Sequence, residues 1–191
     1  TNGYLKRRYS ATSQPLRTVA EDATRPQKPD GARTRLVIAV VGETARARNF
    51  QLNGYGRATN PVLSQRDDII SFRHMSSCGT ATAISVPCMF SRMARPQYDD
   101  VRAATEENLL DILQRTGVHL LWRNNNNGGC KGVCARVPTD DMPATKVPGL
   151  CVNKDGTCLD DVLLHRLRER IDAMPGDALV VLHQMGSHGP T

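Results

Sequence analysis

Three short stretches of this chain are almost continuously aliphatic: RLVIAVV (35–41), VHLLW (118–122) and ALVVL (178–182). Each is too short for a buried helix, and the first is closed by Gly42, so each reads as a strand. A run that does not alternate polar with apolar residues has both faces covered, the mark of a parallel sheet flanked by helices. RLVIAVV is accordingly expected as a central strand. DDIISFRH (67–74) is expected as a further short strand before the turn at SSCGT.

Between these runs the period lengthens. CGTATAISVPCMF starts a helix near Thr80 to Thr82. In TEENLLDILQRTG, Leu109, Leu110, Ile112 and Leu113 fall on one helical face, with Thr105 as the expected cap and Gly117 as the stop. In DDVLLHRLRERIDAMPGD the apolar face is Val162, Leu163, Leu167 and Ile171, ended by Pro175 and Gly176. Strand and helix in alternation define an α/β domain with right-handed crossovers, whose ligands gather at the carboxyl ends of the strands. Residues 1–34 carry no period and read as a linker. Residues 124–158, rich in Asn, Gly, Pro and Cys, read as a long excursion held by disulfides rather than a core element.

The strand ends carry the polar groups that could do chemistry. Glu43 follows the first strand directly, placed either to ligate a metal or to complement a helix dipole. Thr80 or Thr82 in CGTATA would present a hydroxyl at a helix start, where an N-cap is the plain alternative. His188 lies in a Gly-rich loop after the last strand, while His183 belongs to that strand and can be satisfied internally. The Asn run at 124–127 and Lys131 form turns by composition, and their amides and ammonium are also suited to phosphate oxygens.

Composition narrows the classes. In 191 residues, 39% hydrophobic and 23% charged, there is material for one core, and no stretch has the roughly 18 to 20 apolar residues of a membrane span. The formal net charge of +6 favours anionic partners, but no zinc finger or aromatic RNP motif points to nucleic acid. The six cysteines fall in three close couples: Cys78 with Cys88, Cys130 with Cys134, and Cys151 with Cys158. Sequential disulfides are the economical reading and imply an oxidising compartment. The rival, a zinc cluster, lacks any C-x-x-C.

Taken in order, VVGETARARNF, SCGTATAISVPCMFS, LLWRNNNNGGCKGVC and LHQMGSHGPT resemble the lipid A phosphoethanolamine transferases, including those that confer colistin resistance; the likeness runs from about Leu36 to Thr191. The resemblance implies the first part of an alkaline-phosphatase or sulfatase-like domain, a three-layer α/β sandwich with a mainly parallel sheet over 35–191, facing the periplasm. Residues 1–34 would then lead from an inner-membrane helical domain. It implies Zn2+ as cofactor, Glu43 and Thr82 as zinc ligands, Thr82 as nucleophile, and Asn126, Lys131 and His188 as groups holding the phosphoethanolamine or a second metal. Asn125 and Asn127 compete with Asn126 for that place. Phosphatidylethanolamine would be the donor, a lipid A phosphate the acceptor, and the membrane surface the setting for a monomer. The remaining Asp and His ligands would lie beyond Thr191, so this chain alone is expected to be inactive. A relative with another acceptor, a hydrolase using water, and a non-catalytic lipid-surface module are the alternatives.

Overall fold

A computed structural model describes residues 15–152 and 156–188. The first fourteen residues of the expected linker lie outside this range. Four strands form one parallel sheet: β1 (Leu36–Val41), β2 (His119–Asn124), β3 (Thr139–Asp141) and β4 (Ala178–His183), in the order β1-β4-β2-β3. Ala178 stands opposite Leu36 on one side and His119 on the other, so β4 is flanked along its whole length.

Among the described residues five short α-helices accompany them: α1 (Pro61–Ser64), α2 (Thr82–Phe90), α3 (Asp100–Thr105), α4 (Leu109–Arg115) and α5 (Leu167–Asp172). Alternate strand residues face two cores. Leu120, Trp122, Leu179 and Val181 pack with Val86 and Phe90 of α2 and Leu110 of α4. On the other face, Leu121, Val180 and Leu182 pack with Val162, Leu163 and Leu167. Two helical layers over a parallel sheet make the expected three-layer α/β sandwich. Full burial of each such aliphatic side chain contributes about 1.5–3 kcal/mol.

Several local expectations give way. β1 is an edge strand, not a central one: Leu36, Val37, Ile38 and Val40 are 45–58% exposed. Residues 67–74 form no strand, since nothing pairs with their backbone and Ile70 and Phe72 are exposed. Thr105 ends α3 rather than capping α4. The cap is Asn108, whose side chain accepts from Leu110 N–H while Asp111 accepts from the Asn108 N–H at 2.8 Å, because an amide or carboxylate beside a helix start satisfies orphan donors best. The segment after Asp160 is broken into a 3-10 turn (Asp160–Leu164) and α5, because Arg166 adopts φ 54°. Nor is the 124–158 excursion outside the core: Val133 and Val137 join one cluster, Met142 and Val147 the other, and β3 lies within it.

The three disulfides are sequential: Cys78–Cys88, Cys130–Cys134 and Cys151–Cys158. Residues 15–34 run along the domain without regular secondary structure, with one isolated bridge at Arg17 and turns closed by Ala23 N–H on Ala20 O and Ala32 N–H on Pro29 O. Arg17 exchanges backbone bonds with Thr105 and Glu107, and Arg115 donates to Val19 O at 2.8 Å. Glu106, buried to 7% exposure, receives Arg17, Arg92 and Arg102; burial pushes its carboxyl up, but these guanidinium groups together hold it below the ordinary value. Among the described residues no helix is long and apolar enough to cross a membrane.

Candidate active site

The carboxyl ends of β1, β2 and β4 lie side by side, and each is followed at once by a polar loop. Register dictates this: Val41 stands opposite His183, and Asn124 opposite the same His183. The chains remain paired past the strands, with Gln184 N–H donating to Val41 O at 3.0 Å and Asn125 N–H to His183 O at 2.8 Å. Gly186, at φ 57°, sits against the backbone of Glu43; a methyl group there would lie 2.6 Å from Glu43 O. Only glycine permits so close an approach.

Glu43 is the centre of the arrangement. Its Oε2 accepts from Thr82 Oγ1 at 2.8 Å and from Asn126 Nδ2 at 3.3 Å, and its Oε1 accepts from Thr44 Oγ1 at 2.9 Å. Burial pushes the Glu43 carboxyl up. The Thr82 and Thr44 hydroxyls, the charge of His188 and the Asn126 amide outweigh it and hold the group below the usual carboxylate range, so it is an anion at neutral pH. Thr82 is the first residue of α2 and does not cap it, since Ala81 occupies the N-cap position. Its hydroxyl is therefore turned to the carboxylate rather than used by its own helix.

The structure also separates the three asparagines. Asn126, 2% exposed, reaches Glu43 and also donates to Gln184 O at 3.1 Å. Asn125 points away, donating to Cys158 O and Asp160, and Asn127 is exposed. Lys131 lies beside Asn126: both its Nζ and Asn126 Oδ1 would crowd a side chain at Gly128, at 2.7 and 2.9 Å. His188 is exposed and acts on Glu43 through charge. Thus Glu43, Thr82 and Asn126 are brought into contact, Lys131 adjoins them, and His188 stands at the rim. An open cleft of about 700 Å³ begins at Asn126 and runs past Asn124, Asp141, Thr157 and Met185.

His183 is fully buried, and the expected internal satisfaction holds for one ring nitrogen only: Nδ1 has a partner, while Nε2 has none among the described residues. Asn124 Nδ2 donates to Asn126 O, leaving Oδ1 to accept from His183 Nδ1 at 3.0 Å, and the ring stands edge-on to Trp122. Burial pushes its pKa down to about 4, so it is neutral at pH 7. Thr44 belongs to the polar strand end Gly42-Glu43-Thr44 that the sequence offers after its first strand, though with no role of its own. One contributor escaped the sequence reading: Asp160 in LDDVLL reads as an ordinary acid in a first helical turn.

A parallel α/β sandwich with a carboxylate after one strand and a hydroxyl at the head of a crossover helix is the arrangement of the alkaline-phosphatase and sulfatase class. The chain belongs to the sulfatase family, which it matches over residues 35–191. Among curated relatives it is 53% identical to phosphoethanolamine transferase EptA of Salmonella typhimurium, over 93% of this chain and 32% of that protein. It is 44% identical to phosphatidylethanolamine transferase Mcr-2 of Escherichia coli, over 95% of this chain and 35% of that one. The soluble domain of lipooligosaccharide phosphoethanolamine transferase A from Neisseria meningitidis superposes with a TM-score of 0.85 at 46% identity, covering 93% of this chain and 52% of that domain. The integral membrane form of the same Neisseria protein superposes at 0.90, with 42% identity, all of this chain and 35% of that one covered. The chain therefore spans about a third of the length of these full-length relatives.

Proposed function

We propose that the whole protein transfers phosphoethanolamine from phosphatidylethanolamine to a lipid A phosphate, with Thr82 as the nucleophile that carries the group between them. The observation that carries this reading is the 2.8 Å hydrogen bond from Thr82 Oγ1 to an ionised Glu43, on a chain 53% identical to a phosphoethanolamine transferase. A threonine hydroxyl attacks phosphorus only when its proton is drawn away, and Glu43 is the group in contact with that proton.

The donor set fits a zinc ion in part. Glu43 Oε2 and Thr82 Oγ1 are close enough to share one ion at the usual bond length of about 2.0–2.2 Å. Among the described residues no group of three His, Cys, Asp or Glu surrounds them. They supply two of the four ligands a tight site needs, so this chain alone is expected to be inactive. Zinc there would favour the deprotonated hydroxyl and neutralise charge on the transferred phosphoryl group.

The remaining roles follow from placement. The Asn126 amide and the Lys131 ammonium lie where donors to phosphoryl oxygens are needed, and Asn126 also fixes the Glu43 carboxylate. His188, exposed at the rim, is read as the group that meets incoming phosphate. In the first half-reaction Thr82 Oγ bonds to phosphorus, the P–O bond to diacylglycerol breaks, and the Thr82 proton, taken by Glu43, passes to the departing diacylglycerol oxygen. In the second, a lipid A phosphate oxygen bonds to phosphorus, the P–O bond to Thr82 breaks, and the proton lost by that phosphate returns to Thr82 Oγ. The relatives' membrane form supports an inner-membrane anchor with this domain in the periplasm, where the three disulfides are stable, and residues 1–34 as the connection. Modified lipid A carries less negative charge, which supports a role in polymyxin resistance.

The test uses a chain of the relatives' length containing this domain, incubated with phosphatidylethanolamine and mapped by tandem mass spectrometry. Phosphoethanolamine on Thr82, absent in Thr82→Ala and after zinc chelation, is the expected result. Release of diacylglycerol without a modified threonine would instead establish a hydrolase or a direct transfer.

A further inference from the structure

The two loops that hold Asn126 and His188 are joined directly by the bond from Asn126 Nδ2 to Gln184 O, and both are also tied to one carboxylate. Asp160 Oδ1 accepts from Asn125 Nδ2 at 2.8 Å and from Met185 N–H at 2.7 Å; Oδ2 accepts from Gly186 N–H at 2.8 Å. One side of this grip is the loop after β2, the other the loop after β4. We propose that Asp160 is a positioning residue for the transfer reaction, setting the Asn126 and Gly186–His188 loops against Glu43 without itself touching substrate.

Each link is short and directional. Asn125 is fully buried, and its Nδ2 also donates to Cys158 O at 3.0 Å, so the turn beginning at Asp160 is anchored at its entry by the Cys151–Cys158 disulfide. The next residue, Asn126, bonds Glu43. On the other side Gly186, whose N–H Asp160 holds, is the residue that abuts the Glu43 backbone, and Ser187 N–H points at Glu43 O from 3.4 Å. Bonds from backbone N–H to an ionised carboxylate are about twice as strong as neutral ones. A neutral side chain at 160 would lose that advantage, and an asparagine would oppose one N–H donor with its own.

The inference that this placement serves catalysis rests on the transferase reading; the placement itself does not. The experiment therefore takes the full-length protein and records two quantities for the unsubstituted chain, Asp160→Ala and Asp160→Asn: amide hydrogen exchange, and the rate of phosphoethanolamine addition to Thr82 from phosphatidylethanolamine vesicles. In Asp160→Ala the amides of Met185 and Gly186 should exchange at least about 10-fold faster while those of Val180 to Leu182 keep their protection. The rate constant should fall about 10- to 100-fold, the range that small misplacement of reacting groups produces, with the half-saturating donor concentration little changed. Asp160→Asn, which keeps one acceptor oxygen, should recover part of both.

Unchanged exchange at 185–186, or a uniform rise across the whole sheet, overturns the proposal. So does faster exchange at 185–186 with a rate within twofold of the unsubstituted protein. If the unsubstituted protein never modifies Thr82, the transferase reading fails, and the exchange data alone decide whether Asp160 holds the two loops.

Discussion

β1 and β4 are built from nearly the same residues, LVIAVV and ALVVLH, and lie side by side in register, yet one is sealed and the other largely bare. β4 has a strand on each edge and a core on each face, so all six of its residues are buried. Among the described residues β1 has one neighbouring strand, and of its own six residues Val41 at the carboxyl end is buried and Ala39 half-buried. Both strands nevertheless deliver site residues. The lesson is that β4 positions its loop through the body of the sheet, whereas Glu43 after β1 is held by contacts at the strand end: Gln184 on Val41, Gly186 on its backbone, and Thr82, Thr44 and Asn126 on its carboxylate. An apolar run marks a strand, but its neighbours decide what that strand stabilises.

The contrast can be broken at its strongest point by Val180→Asp. An unpaired carboxylate between two cores should cost roughly 3–5 kcal/mol, read as a lowered urea midpoint, and should unfold a domain of ordinary stability. A smaller but still large effect comes from pH. Burial lowers the folded-state pKa of His183 from 6.5 to about 4, so its contribution is fully present above pH 6.5 and is lost as pH falls toward 4, where the unfolded chain takes the proton first. The loss amounts to up to ~3 kcal/mol, and denaturation midpoints between pH 7 and pH 4.5 should show a slope that flattens in His183→Gln.

Next comes Gly186→Ala, which joins the two regions. The substituted residue must hold a positive φ against the Glu43 backbone, and a loss of about 1–3 kcal/mol is expected. Because Glu43 or the loop must shift, Thr82 modification should fall further than stability does, and equal falls would show that the strand-end contact is structural only. The smallest effect belongs to Val37→Asp on bare β1, expected to stay within about 1 kcal/mol in urea. If Val37→Asp instead matched Val180→Asp, the exposed edge would have to be covered in solution.

How much of this was legible beforehand differs by residue. The strand at 178–183, the apolar face of Val162, Leu163 and Leu167, and Gly117 as a helix stop followed from local pattern, because each depends on neighbours within one or two turns. Asn108 displaced Thr105 as cap since the helix begins at Leu109, the first residue of its apolar face and three residues later than a cap at Thr105 requires. The strand expected at 67–74 failed because a β-prone segment becomes a strand only when another strand offers it hydrogen bonds.

By itself the sequence determined the α/β alternation, the parallel character of the sheet and the three cysteine couples, all properties of composition and short-range spacing; Glu43, Thr82, Lys131 and His188 were open candidates on pattern alone, and only the resemblance to the transferase family singled them out. Tertiary structure alone decided that β4 is central and β1 an edge, that Asn126 rather than Asn125 or Asn127 meets Glu43, and that Asp160 grips two loops separated from it by 35 and 25 residues. Those facts depend on which distant segments share space. No local propensity encodes that, because burial and hydrogen-bond partnership are set by the packing of the whole chain.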